Sequence, residues 1–266
     1  APATSNDDRQ PLSTMPATSP GHRSNIMVDG DGRVWVFTRL GDSPAENVRY
    51  HYSDDDGATW VSGVAVATGS PDIRIGSMPY VDGRACLVVL HLNSSRGYEY
   101  FLWNGTSFEA HADSSIVARN VGYSRSFTHN VVGETFHLVY AWAGELHHAW
   151  KDHAGGTGAW NEQVIESHPG MDDMSWGNIL TTRGDELYLF YCLWDTDLAS
   201  SAVWMRTLAA GSSQWSDAEL VSGTGLTHNI YPNTSFRVPV NATTIPVFWT
   251  SGPAADAIQY ARVTVD

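Results

Sequence analysis

The feature that most constrains this chain is an internal repeat. Five segments share one grammar: a strand rich in small residues, a Gly or Asn turn, a strongly apolar strand, a loop, and an aromatic third strand. The second strands are expected at VWVFTR (34–39), CLVVLHL (86–92), FHLVYAW (136–142), LYLFYCLW (187–194) and IPVFWT (245–250). The turns before them, DGDGR, VDGR, VGE, RGDE and VNATT, each suit a tight hairpin. Third strands follow as VRYHYS, YEYFLW, ELHHAW, SAVWMR and IQYARV. In four units a Gly-containing turn then leads to Trp60, Phe108, Trp160 or Trp215, and a more polar fourth strand is expected after each.

A radial array of four-stranded sheets accounts for this grammar. The first strand lines a crowded axis, which favours Ser, Gly and Asn. The second is covered on both faces and therefore reads as an unbroken apolar run, while the outer strands are partly solvated. The fold class expected is all-β: a five-bladed β-propeller of four-stranded antiparallel blades. It would form one domain over 1–266, with blades near 21–70, 71–119, 120–168, 169–223 and 224–266. The fifth unit stops after its third strand, so RQPLSTM (9–15) is expected to close the last blade beside Ile258–Val265.

Composition narrows the function classes. Hydrophobic residues make up 42% and charged residues 17%, which argues against a disordered chain. A formal charge of −14 argues against nucleic acid and anionic membranes as partners. No apolar run approaches the length of a membrane span, so no membrane insertion is expected. Cys86 and Cys192 sit inside apolar runs and are expected as two buried thiols rather than a bridge. The chain begins APATSN without an initiator Met, and carries sequons at Asn93, Asn104, Asn233 and Asn241. A secreted or extracellular protein is the expectation.

One motif carries a family resemblance. Ser53-Asp54-Asp55-Asp56-Gly57-Ala58-Thr59-Trp60 matches S-x-D-x-G-x-T-W at every fixed position. WNGTSF (103–108), KDHAGGTGAW (151–160) and AAGSSQW (209–215) keep mainly the Gly and the aromatic. In this the chain resembles the BNR/Asp-box repeat, sialidase-like β-propeller superfamily. The motif covers one turn per blade, so the resemblance implies architecture far more than activity. It implies a structural turn: Ser and Asp side chains bond the turn backbone, Gly takes the left-handed position, and Trp wedges between blades. Neither Asp54–Asp56 nor the DGDG at 29–32 is read first as a metal loop, and no metal or cofactor is expected.

In a propeller, first-strand starts and the loops between second and third strands emerge on one face. First-strand starts bring His22, Arg23, Asp72, Arg74, Tyr123 and Arg125 to that mouth, then Asp172, Asp173, Trp176, His228 and Tyr231. Second-strand ends add Arg39, His91, Trp142, Trp194 and Asp195. Arg23, Arg74 and Arg125 fall 51 residues apart, and the next step reaches Trp176. Arginines this close repel one another unless an anion lies between them. Their planar forks suit a carboxylate or sulfate. An anionic oligo- or polysaccharide is the expected partner, bound by Arg23, Arg74, Arg125, Trp176, Asp72, Asp173, His91 and Trp194. The competing account ties each Arg to a nearby acid such as Asp72 or Asp173, as a link between blades.

Three activities fit this mouth. The first is a polysaccharide lyase acting on a uronate-containing glycan, with Tyr123, His22, His228 or Tyr231 moving the proton. The second is a sialidase-like glycoside hydrolase, which the resemblance suggests. That family usually has six blades, a Tyr–Glu nucleophile pair and an Arg-Ile-Pro strand; this chain has Arg74-Ile75-Gly76 and no clear Glu at the mouth. The third is a non-catalytic lectin or receptor-binding module. Repeat lectins keep one site in every blade, whereas these mouth positions differ from blade to blade, which favours a single asymmetric site and an enzyme. No phosphate loop, metal-ligand spacing or nucleophile elbow is found.

Overall fold

The computed structural model describes residues 25–40, 47–67, 73–91, 97–117, 127–152, 159–167, 178–195, 200–222, 230–234, 237–251 and 257–265. These residues form strands joined by turns, in two compact units, Ala1–Asn120 and Val121–Asp266.

The first unit holds two four-stranded antiparallel sheets. One runs β1 (Asn25–Val28), β2 (Val34–Leu40), β3 (Asn47–Ser53), β4 (Val61–Ala67), each strand paired to the next. The other repeats that order with β5 (Ile73–Pro79), β6 (Ala85–His91), β7 (Gly97–Trp103) and β8 (Phe108–Val117). Every residue of β6 is buried, as a strand covered on both faces must be. The two sheets share one core, in which Trp35, Phe37 and Tyr50 meet Leu87, Val89, Phe101, Trp103 and Phe108. Trp35 is fully buried and packs edge-on against Trp103 and Phe108, with centroids 5.1 and 5.4 Å away. Such pairs add about 0.5–1.5 kcal/mol each beyond the area they bury.

Two contacts set the spacing of these sheets. Asn25 Nδ2 of β1 donates to the Ile75 carbonyl of β5 (2.9 Å), so the first strands lie side by side. At the hairpin ends, the Gly30 amide donates to the Gly83 carbonyl (2.7 Å). A Cβ on Gly30 would stand 2.8 Å from the Gly83 Cα, so only glycine permits that approach.

The second unit holds three sheets. The first runs β9 (Phe127–Val132), β10 (Thr135–Trp142), β11 (Glu145–Asp152), β12 (Asn161–Ser167). The second contains β13 (Asn178–Arg183), β14 (Glu186–Asp195), β15 (Ser200–Leu208) and the short β16 (Glu219–Leu220). The third contains β17 (Ile230–Asn233), β19 (Thr244–Ser251) and β20 (Ala257–Thr264), while β18 (Arg237–Val238) pairs in parallel with β13. Here too first strands adjoin: Asn130 Nδ2 donates to the Leu180 carbonyl (3.1 Å), and the Leu180 amide to Thr128 Oγ1 (2.9 Å). One core joins the first and second sheets around Val139, Leu189 and Tyr191. Another joins the second and third around Phe190, Val247 and Trp249.

The last two sheets depart from the expected four full strands. Beside β15, serine hydroxyls replace part of the ladder: Ser216 Oγ accepts from the Thr207 amide (2.9 Å) and Ser222 Oγ from the Val203 amide (3.0 Å). The paired length there shrinks to Glu219–Leu220. In the third sheet, Pro232 lacks an amide donor, and the β17–β19 register shifts between Ile230 and Asn233. That sheet has three strands among the described residues. The proposed closing segment, 9–15, lies outside the described residues.

Candidate functional site

Of the residues expected at the mouth, His22, Arg23, Asp72, Tyr123, Arg125, Asp172, Asp173, Trp176 and His228 lie outside the described residues. Arg74 is half-buried on β5, opposite Leu90, and its Nη1 donates to the Ile73 carbonyl (2.9 Å). His91 ends β6 fully buried, with Nε2 at 3.2 Å from Glu99 Oε2 of β7. Arg39 lies on β2 opposite Val48, Trp194 and Asp195 on β14 opposite Ser201 and Ser200, and Tyr231 within β17. The structure therefore puts Arg74 on the first strand of its sheet and gives His91 an acidic partner within its own sheet.

At the corresponding end of the second unit, Trp142 borders a cluster the sequence reading did not assemble. The buried His147 lies between two carboxylates, with Nε2 3.1 Å from Glu145 Oε2 and Nδ1 2.8 Å from Glu162 Oε1. Tyr140 stacks on the imidazole at 5.1 Å and donates its hydroxyl to Glu162. One sheet further on, Glu166 accepts from both Tyr191 and Arg206, which ties β12 to β14 and β15. Burial pushes the Tyr191 hydroxyl up to about 12, so it remains a donor there.

The opposite end of this unit contains a cavity of about 630 Å³. Its walls are the β9–β10 hairpin, the far ends of β10 and β11, the β13–β14 hairpin, and the turn after β15. His137 pairs with Trp150 across β10 and β11, and His148 is the diagonal neighbour on the same face. Trp215 Nε1, which can only donate, lies 3.2 Å from His148 Nδ1, and Gln163 Nε2 is also 3.2 Å from that atom. His148 Nδ1 is therefore an acceptor and its proton sits on Nε2. That proton points at His137 Nδ1, 2.9 Å away. His137 must then carry its own proton on Nε2. Burial keeps both rings neutral: it lowers His137 to about 4, and burial followed by the His137 charge lowers His148 well below 6.5.

The sequence directs attention to the mouth, and turn-end positions at the other side read only as structure. A signal was present. FHLVYAW carries a histidine inside an otherwise apolar strand, and the next strand, ELHHAW, carries two more.

Cys86 and Cys192 are buried and form no disulfide, and desolvation pushes the Cys86 thiol up. Among the described residues no helix is long and apolar enough to cross a membrane.

No protein-family model matches the sequence, and no curated protein matches it. Solved structures do match. The SapL1 lectin, in complex with alpha methyl fucoside, superposes over 94% of this chain and 81% of its own, with a TM-score of 0.61 at 14% identity. The polysaccharide lyase Uly1 superposes over 91% of this chain with a TM-score of 0.55 at 14% identity, and this chain spans 58% of that lyase's length. The NanB sialidase from Streptococcus pneumoniae, in complex with a substituted ethanesulfonate, superposes over 91% of this chain and 61% of its own, with a TM-score of 0.54 at 10% identity. At such identities the likeness is one of fold: this chain is all-β and propeller-like, built largely of four-stranded antiparallel sheets.

Proposed function

We propose that this chain is a secreted carbohydrate-active protein that binds an acidic saccharide through the arginines leading its first strands, and that it cleaves a uronate-containing glycan by β-elimination. The observation carrying this reading is the side-by-side placement of first strands. Asn25 of β1 bonds Ile75 of β5, and Arg23 and Arg74 stand two and one residues before those positions. In the sequence of the second unit Arg125 stands three residues before Thr128, whose hydroxyl accepts from the Leu180 amide of β13. In this reading the five sheets are five blades and Ser53–Trp60 is an Asp-box turn.

The chemistry asks two things of such a site. Neutralising the uronate carboxylate makes the C5 proton removable, which is work for guanidinium groups. A base takes that proton, the electron pair forms the C4=C5 double bond, the C4–O bond breaks, and the leaving oxygen accepts a proton. Tyr123, His22, His228 and Tyr231 are the residues assigned to those transfers. The lyase activity named for Uly1 supports this reading. The SapL1–fucoside complex favours a second reading, a lectin that binds without cleaving. Incubation with polygalacturonate, alginate and hyaluronate, followed by unsaturated-uronate absorbance, separates the two. Product formation that Tyr123→Phe slows by at least a hundredfold is expected; saturable binding with no absorbance gain on any of them makes the protein a lectin.

A further inference from the structure

We propose that the cavity between the first two sheets of the second unit is a separate saccharide site, selective for an uncharged sugar. It uses none of the arginines assigned above. Its volume, about 630 Å³, lies within the range of small-molecule pockets and holds one or two sugar rings. Gly133 and Gly211, both with positive φ, flank it with open space where a Cβ would stand.

Its lining supplies both halves of hydroxyl recognition. The Trp215–His148–His137 chain fixes an N–H on His137 Nε2. His137 is 7% exposed, lines the cavity, and among the described residues has no hydrogen-bond partner besides His148. That N–H is a donor held in place for a ligand acceptor. The carboxylates of Glu134 and Asp185 line the same space and can accept from ligand hydroxyls. Trp150, stacked on His148 at 4.9 Å, adds an apolar ring surface of the kind that packs on a sugar face.

Charge decides among ligand classes. Among the described residues carboxylates but no Lys or Arg line the cavity, so an anionic sugar is repelled there. An ammonium ligand satisfies the carboxylates but offers the His137 N–H no acceptor. Among the described residues no group of three or more His, Cys, Asp or Glu side chains is arranged to hold a metal ion. A neutral sugar hydroxyl both donates and accepts, and it matches the lining on both counts.

The test uses the whole chain and three probes: the methyl glycosides of galactose, glucose and fucose, titrated by calorimetry and by tryptophan fluorescence. Saturable binding of at least one is expected. Asp185→Asn, at an exposed position, should weaken it roughly tenfold. Trp150→Leu should weaken it further, and if that variant fails to fold, Asp185→Asn still decides. Arg74→Ala should leave it unchanged, so this site and the arginine site can fail separately. Absence of saturable binding to the unmodified chain, or an Asp185→Asn affinity equal to it, overturns the proposal. Competition by spermidine would instead assign the cavity to a cation, and overturns it equally.

Discussion

The Asp55 carboxylate accepts from the Thr59 amide and hydroxyl, each at 2.7 Å, and from Ser53 Oγ at 2.8 Å. Ser53 Oγ in turn accepts from the Gly57 amide (2.7 Å), and Trp60 Nε1 donates to the Gly57 carbonyl (2.9 Å). The bonds from Thr59, then Ser53, hold Asp55 below the usual carboxylate value of 3.8. Its stabilisation is therefore complete above that value and lost as the pH falls below it. Asp55→Ala should lower the melting temperature by a few degrees and leave saccharide binding intact; a loss of binding at unchanged stability contradicts a purely structural turn. This turn was legible in the sequence because its partners lie within eight residues. His91 was not, because its partner Glu99 is fixed by strand pairing rather than by local sequence.

At the scale of the strands, the apolar middle runs announced themselves. CLVVLH became the fully buried β6, and FHLVYAW became β10, within a residue of the expected ends. The edges were harder to read. Nothing in the composition of 216–222 says that two serine hydroxyls will take over backbone pairing beside β15. Likewise, the parallel pairing of Arg237–Val238 with Thr182–Arg183 depends on a partner far away in the chain. The edge strand β20 exposes Ile258 (79%) and Tyr260 (47%), an apolar edge of the kind proteins usually cover. If residues 9–15 cover it, deleting residues 1–19 should speed amide exchange along Ala257–Thr264 and lower the melting temperature. Unchanged exchange along that strand contradicts the closing-strand assignment.

On the scale of the whole molecule, the two proposed sites respond to different conditions. The neutral His137–His148 pair ties stability in the second unit to pH. Both rings are lowered from 6.5, His137 to about 4, so the stability they hold is complete above 6.5 and lost as the pH falls towards 4. The urea midpoint followed by tryptophan fluorescence should drop across that window, and His137→Gln should flatten the drop; a slope the substitution leaves unchanged contradicts the neutral relay. The proposed arginine site turns instead on charge and salt. The central residue proposed for it is Arg74, and the decisive measurement is paired calorimetry and thermal melting of Arg74→Ala with an oligogalacturonate. A charge-assisted contact is worth about 1.5–3 kcal/mol, so the account predicts affinity weakened roughly ten- to a hundredfold with the melting temperature nearly unchanged. Unchanged affinity together with a large fall in melting temperature would show Arg74 to be a link between sheets and contradict the acidic-saccharide site.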